Sequence, residues 1–179
     1  AAAAHLFRNK GFERTTVRDL AQEVGIQSGS IFHHFKTKEE ILRCVMEEVI
    51  HFNTDRMRED MAQSSDPREK LLALIRSELV SINGDTGEAM AVLIFEWRCL
   101  KPESQAYILE LRSHYERIWL DTLAECQAAG LVDPKRDVFI LRRFLAGAIS
   151  WSHYWYKPGG QMDIQQMAEQ ALFLALKEG

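Results

Sequence analysis

One segment near the N-terminus, running from Thr15 to Glu39, constrains the fold more than any other part of this 179-residue chain. Thr16 is predicted to cap a short helix, and Asp19 stands three residues later, where a capping-box acid reaches back. Gly25 suits the left-handed residue that ends such a helix, and Ser28 is predicted to cap the next one. The pattern therefore predicts two short helices joined by a tight turn.

Two helices joined by a three- or four-residue turn form the helix-turn-helix, whose second helix reads DNA in the major groove. The net charge of −4 argues against a nucleic-acid partner until its distribution is considered. Residues 1–38 carry a net charge of +3, whereas residues 39–179 carry −7. A basic N-terminal segment followed by an acidic remainder is typical of a DNA-binding module joined to a part that does not touch DNA.

The same segment resembles the N-terminal signature of the TetR family of bacterial repressors, G…TTV.DIA...GVS.G.LY.HF..KE. The matching residues are Gly11, Thr15 to Asp19, Ala21, Gly25, Gly29, His34, Phe35, Lys38 and Glu39. The resemblance implies an all-α fold of nine helices. Residues 1–43 would form a three-helix helix-turn-helix DNA-binding domain (the head), and residues 44–179 a six-helix ligand-binding and dimerisation domain (the body). The chain is expected to start partway into its first helix, with the N-terminus of the head truncated.

Candidate DNA contacts follow from the chemistry of the exposed side chains. Ser and Gln side chains can donate to or accept from base edges, a glycine allows close backbone approach, and hydroxyls and cations suit phosphates. The second helix supplies Gln27, Ser28, Gly29, Ser30 and His33, and phosphate contacts are predicted for Thr16, Arg18, His34 and Lys38. The family resemblance adds Lys36, and it implies a tyrosine where this chain has Phe32. Phe32 keeps an apolar contact, such as one to a thymine methyl, but lacks the hydroxyl donor.

A metal site at the adjacent pair His33 and His34 is the alternative for this helix. Neighbouring side chains on a helix diverge by about 100°, and no Cys or acid stands at zinc-ligand spacing nearby. We therefore expect neither a metal nor a cofactor.

The rest of the chain carries start and stop signals that predict helices. Thr37 opens a long helix to about residue 63, Asp66 and Pro67 open the next, and a helix is expected from Pro134 to about residue 156. Asp163 is predicted to cap the last helix. The stretch 90–98 is apolar nearly all round, so it is predicted to be a buried central helix.

The penultimate helix ends in an aromatic-rich segment, 150–160, preceded by the small residues 146–148. Together with the last helix this predicts a four-helix dimer interface about a two-fold axis. The ending W…WY-K-P-G-G also resembles TetR regulators of fatty-acid and ring degradation, which sense acyl-CoA thioesters.

An acyl-CoA site needs an apolar tunnel and basic groups for the phosphates. The candidate ligand-binding residues are Phe95, Trp97, Arg98, Arg112, Tyr115, Trp119, Trp151 and Trp155, with Arg142 and Arg143 as further cations. For each aromatic residue, ordinary core packing remains the alternative.

The sequence thus predicts a ligand-responsive repressor that binds a palindromic double-stranded operator as a homodimer and is released by a small molecule, an acyl-CoA thioester. A TetR-type regulator that senses a drug-like or lipid ligand is the alternative. A helical enzyme is disfavoured, because the chain lacks a glycine-rich phosphate loop, a nucleophile elbow and metal-ligand spacing. Without a membrane-length apolar run or signal peptide, we expect no membrane partner and a cytoplasmic location, with Cys44, Cys99 and Cys126 as buried free thiols.

Overall fold

The computed structural model describes residues 2–177, which form nine α-helices, one short 3₁₀ helix and no strand. The all-α prediction is therefore confirmed. The α-helices are α1 (Ala2–Lys10), α2 (Val17–Glu23), α3 (Ser28–Ile31), α4 (Lys38–Met61), α5 (Pro67–Asn83), α6 (Gly87–Phe95), α7 (Pro102–Ala128), α8 (Val138–Trp155) and α9 (Ile164–Ala175). None of these helices combines the length and apolar character that a membrane span requires.

The predicted helix starts are mostly confirmed. Thr16 and Asp19 form a reciprocal capping box at α2, and Gly25 after that helix has a φ of +72°. Asp66 accepts a hydrogen bond from the backbone of α5, whose first residue is a proline, and Asp163 completes a capping box at α9. Short polar side chains at these positions satisfy backbone donors that the helix itself leaves open.

Three local predictions are wrong. The residue that precedes α3 is Gln27, which makes no side-chain cap, and Ser28 is instead the first helical residue. Helix α8 begins after Asp137, whose carboxylate accepts from two backbone N–H groups, whereas residues 134–136 form a turn. The prediction of a buried helix over 90–98 is wrong for its second half: α6 buries Val92 and Leu93 but ends at Phe95, whose side chain is 55% exposed.

The described chain divides into two compact units. The first unit comprises the residues up to His51 together with Thr86–Arg112, so it contains α1–α3, α6 and the starts of α4 and α7. Its core is one cluster of buried apolar side chains that includes Phe7, Leu42, Val92 and Ile108. Helix α1 packs against α6 within this unit.

The second unit comprises Phe52–Asp85 and the residues from Ser113 onward. Helix α5 packs against α8 and α9, and fully buried Leu74, Trp119 and Leu172 contribute to the interior of this unit.

The three cysteines are free thiols, and only Cys126 is buried. Burial raises the pKa of the Cys126 thiol to about 11. Cys44 and Cys99 are half-buried, so the prediction of buried thiols is wrong for these two.

Candidate DNA-binding and ligand-binding sites

Helix α3 presents a polar surface around a single apolar anchor. Ile31 is buried in the core of the first unit, whereas Gln27, Gly29, Ser30 and His33 are exposed and Ser28 is half-buried. A Cβ placed on Gly29 would meet no atom within 4 Å, so the backbone there faces open space. Phe32, which ends this helix, is 54% exposed although it is aromatic. This arrangement leaves the predicted base-reading side chains accessible to a partner.

The start of α2 is held by a network around Asp19. Its carboxylate accepts from Lys10 Nζ at 2.6 Å and from the backbone N–H and hydroxyl of Thr16 at 2.7 and 2.8 Å. The bond from Lys10, followed by those from Thr16, holds the pKa of Asp19 well below its usual range. The Thr16 hydroxyl also accepts from Asp19 N, so its hydrogen-bonding capacity is largely used inside the capping box. Arg18 is exposed and makes no side-chain hydrogen bond or ion pair within residues 2–177.

The residues after α3 differ in their surroundings. His34 is exposed at the edge of an apolar cavity of about 200 Å³ in the first unit. Lys36 is exposed, and only its backbone N–H is bonded, to Glu40 Oε2 at 2.7 Å. Lys38 is half-buried, and its Nζ donates to the carbonyl oxygens of Phe12 and Glu13.

The predicted ligand residues fall into both compact units. The first unit holds Phe95, Trp97, Arg98 and Arg112, and both arginine side chains are exposed. The second unit holds Tyr115, Trp119, Trp151 and Trp155.

A largely buried charge cluster lies within the second unit. Arg142 is 3% exposed and donates to both carboxylate oxygens of Glu78 at 3.1 and 3.0 Å, and to those of Glu116 at 3.1 and 2.9 Å. Its guanidinium lies 4.1 Å from the ring centroid of Trp119, and Tyr115 donates its hydroxyl to Glu78 at 2.9 Å. Glu78 was not among the predicted site residues; its signal in the sequence is an acid among the mostly apolar buried residues of α5, which also include Ser77 and Ser81.

This cluster changes the roles of three predicted residues. Burial by itself would lower the pKa of Arg142, but the two carboxylates outweigh burial and raise it, so the guanidinium stays charged. Burial and the Glu78 carboxylate raise the pKa of Tyr115 well above its usual value. Arg142 is already matched by two carboxylates, so it is not free to bind phosphate, and Trp119 is a fully buried core residue.

An exposed apolar face covers parts of α8 and α9. Phe144 and Leu174 are each 75% exposed, and Trp151 and Trp155 lie on the same helix as Phe144. Gly147 and Ala148 are exposed between them, which allows another helix to approach closely. Phe144, Trp151 and Trp155 are spaced by seven and four residues, so they share one face of α8. Large exposed apolar side chains grouped on one face are typical of interaction surfaces.

Comparisons with known proteins agree with this architecture. Residues 1–45 match the family model for bacterial regulatory proteins of the tetR family, and residues 64–178 match the tetracyclin repressor-like C-terminal domain. The HTH-type transcriptional repressor KstR2 of Mycolicibacterium smegmatis is 33% identical, covering 97% of this chain and 85% of that protein.

Several solved structures share this fold over nearly the whole chain. The superantigen PfiT is 60% identical with a TM-score of 0.85, covering 99% of this chain and 93% of that one. The ketosteroid transcriptional regulator KstR2 of Mycobacterium tuberculosis is 30% identical with a TM-score of 0.85, covering 99% and 92%. AibR in complex with isovaleryl coenzyme A and operator DNA is 21% identical with a TM-score of 0.86, covering 97% and 93%; this likeness shows the fold alone. The chain belongs to the TetR family of DNA-binding transcriptional regulators.

Proposed function

We propose that the chain is a repressor that binds a palindromic operator as a homodimer, with one α3 helix in each half-site. The observation that carries the proposal is the accessible polar surface of α3, anchored from behind by Ile31. A helix of four residues spans only a few base pairs, so a specific site needs two copies about one helical turn of DNA apart. The repressor names of the KstR2 relatives support the same direction of control.

Within this proposal, Ser30 and His33 read base edges, and Arg18 and Lys36 contact phosphates. The first pair lies on or directly after α3, whereas the second pair consists of exposed cations without ion-pair partners in the described part of the chain. Base contacts set the ranking among sites, and phosphate contacts set affinity for every site. We keep residues 1–43 as the DNA-binding module in the sequence, and the compact unit that contains this module also includes residues 86–112.

Fluorescence anisotropy with duplexes from the region upstream of the gene tests the DNA proposal. Affinity is expected to fall steeply between two salt concentrations, because phosphate contacts release counterions. His33→Ala is expected to change the ranking among duplexes, and Lys36→Ala to weaken all of them about equally. Tight binding by a strict monomer, or no binding to any duplex, would contradict the proposal.

The homodimer is proposed to form through the exposed apolar face of α8 and α9. Phe144, Trp151 and Leu174 lie on this face, and a second copy of the same face is the self-complementary partner that two-fold symmetry requires. Burying aromatic side chains of this size is a major source of interface stability.

An acyl-CoA thioester is proposed as the small molecule that releases DNA. Arg98 and Arg112 are exposed cations with no ion-pair partner among residues 2–177, so they are available to phosphate groups. The aromatic residues Phe95 and Trp97 stand three residues and one residue before Arg98 and supply apolar surface. The structure of AibR with isovaleryl coenzyme A and operator DNA is an example of this fold with both ligands bound to one protein.

Release requires that the ligand bind the DNA-free conformation more tightly than the DNA-binding one. A 100-fold difference in affinity supplies about 2.7 kcal/mol in favour of the DNA-free conformation. Helix α4 is one continuous helix with residues in both compact units, and we propose it as the element that transmits the change.

A panel of aliphatic and aromatic CoA esters, with the free acids as controls, tests the effector proposal. A matching thioester is expected to raise the melting temperature and release the duplex, whereas its free acid does neither. Arg98→Ala and Arg112→Ala are expected to blunt release while DNA binding persists; Arg68→Ala, whose side chain pairs with Glu69, is the matched control. If no thioester acts but a drug-like or lipid molecule does, the alternative effector class is correct.

The 60% identity to the superantigen PfiT supports a second candidate function. A superantigen activity would require this chain to bind immune receptors through its surface, independently of DNA. Endotoxin-free protein added to T cells and antigen-presenting cells tests it. Proliferation that survives Lys36→Ala would establish the second function, and no proliferation would exclude it.

A further inference from the structure

The amino group of Lys38 makes its contacts inside the first unit. Its Nζ donates to Phe12 O at 2.6 Å and to Glu13 O at 3.3 Å, and it lies 4.2 Å from the centroid of the Phe12 ring. An ammonium group has three donor directions. Two of them meet carbonyl oxygens and the ring takes up a further side, so little of the ammonium remains for a phosphate.

The carbonyl groups that Lys38 binds belong to the turn between α1 and α2. Gly11 in this turn has a φ of +83°, and the buried hydroxyl of Thr15 donates to Gly11 O at 2.7 Å. The Phe12 ring is buried against Phe7, 5.5 Å between centroids. The turn is therefore a rigid support, and it leads directly into the N-cap of α2.

Lys38 is also the first residue of α4, and only six residues separate it from the end of α3. Its bonds to the turn therefore fix the start of α4, and with it the end of α3 (the reading helix), against the N-terminus of α2. Sequence separation between Lys38 and Phe12 is 26 residues, so this is a tertiary link and not a local cap.

We propose that Lys38 is a positioning residue that orients α3, and that its ammonium group does not contact a DNA phosphate. The exposed cation Lys36, two residues earlier, is the phosphate contact of this segment. The expected effect of Lys38 on DNA affinity rests on the proposed DNA-binding function, whereas its contacts with the turn do not.

The dependence of DNA affinity on salt separates the two roles. Methionine matches the length of the lysine stem without its charge or donors, so Lys38→Met and Lys36→Met are a matched pair. Each lost phosphate contact lowers the slope of log affinity against log salt by about 0.9, or about 1.8 for a dimer. Lys36→Met is expected to show this loss of slope. Lys38→Met is expected to lose about tenfold in affinity at every salt concentration with the slope unchanged.

Amide hydrogen exchange of residues 11–16 in the DNA-free protein gives an independent readout. Lys38→Met is expected to lose protection there, and Lys36→Met is not. A slope that falls in Lys38→Met as it does in Lys36→Met, or unchanged exchange at the turn, would overturn the positioning role. If the wild-type protein bound no duplex, the proposed function would fail, and exchange at the turn would still decide the role of Lys38.

Discussion

The helix-turn-helix region and the second unit differ in which side chains they bury and which they expose. Around α3 the buried anchor is apolar and most exposed side chains of the helix are polar, with Ile31 inside and His33 outside; Phe32 is the exposed apolar exception. In the second unit, Arg142 and Glu78 are buried together, whereas Phe144 is 75% exposed.

This contrast shows that the position of a charge decides what it can do. An exposed cation without a carboxylate partner, such as Lys36, is available to a polyanion. Buried Arg142 has its charge matched by two carboxylates and holds helices α5, α7 and α8 together. The exposed apolar face of the second unit is instead suited to burial against another apolar surface, which is the role proposed for it in the homodimer.

The largest expected effect follows from breaking the buried cluster. Arg142→Leu leaves the Glu78 carboxylate buried without its cationic partner, with only the Tyr115 hydroxyl still bonded to it, which costs about 3–5 kcal/mol of unfolding free energy. Arg143→Leu is the control, because Arg143 is exposed. Urea unfolding measures both. The double change Arg142→Leu with Glu78→Leu should recover part of the loss; a loss below 1 kcal/mol in Arg142→Leu would contradict a structural role for the cluster.

The next effect concerns the exposed apolar face. Phe144→Glu places an unpaired charge in the proposed dimer interface and is expected to weaken the dimer by about 100-fold. Leu109→Glu is the control, since Leu109 is exposed on α7 in the first unit. Sedimentation velocity over a concentration series measures the change. A Phe144→Glu protein that stays dimeric at all concentrations would rule out this face as the interface.

A smaller effect is expected at the end of the reading helix. Phe32→Tyr restores the hydroxyl that the family resemblance implies, and it is expected to tighten DNA binding by about 1 kcal/mol through one phosphate bond. Phe32→Leu keeps the apolar character without the ring and serves as the control. Anisotropy titration measures both, and unchanged affinity in Phe32→Tyr would mean that no phosphate lies within reach.

The smallest effect is a pH dependence at α2. The lowered pKa of Asp19 means that its stabilising contribution is present above pH of about 4 and is lost as the pH falls toward the folded-state pKa. The melting-temperature difference between wild type and Asp19→Asn should therefore be largest near neutral pH and shrink below pH of about 4. Solvent screening keeps this difference small, and a difference that is constant with pH would contradict it.

Local chemistry explains most of what the sequence predicts correctly. Thr16, Gly25 and Asp163 act on their own helix ends within three or four residues, so their roles can be read from spacing. The Gln27 cap position was missed because Gln and Ser stand side by side and only the backbone conformation decides between them.

Contacts across long sequence distances could not be predicted. Arg142 meets Glu78 across 64 residues, and Lys38 meets Phe12 across 26. Periodicity shows that Trp151 shares a helix face with other aromatics, but not whether another helix covers that face. For this reason the candidate ligand residues were grouped by chemistry, and the structure separates core residues such as Trp119 from exposed ones.

The shared core of α1 and α6 has a consequence for hybrid regulators built by exchanging DNA-binding modules. Phe7 of α1 and Val92 of α6 belong to one buried cluster, and His5 pairs with Glu88 at 2.8 Å. A splice near residue 45 would cut through that cluster and leave mismatched surfaces. A recombinant with altered operator specificity should therefore inherit α6 together with the first three helices, or change only the exposed residues of α3.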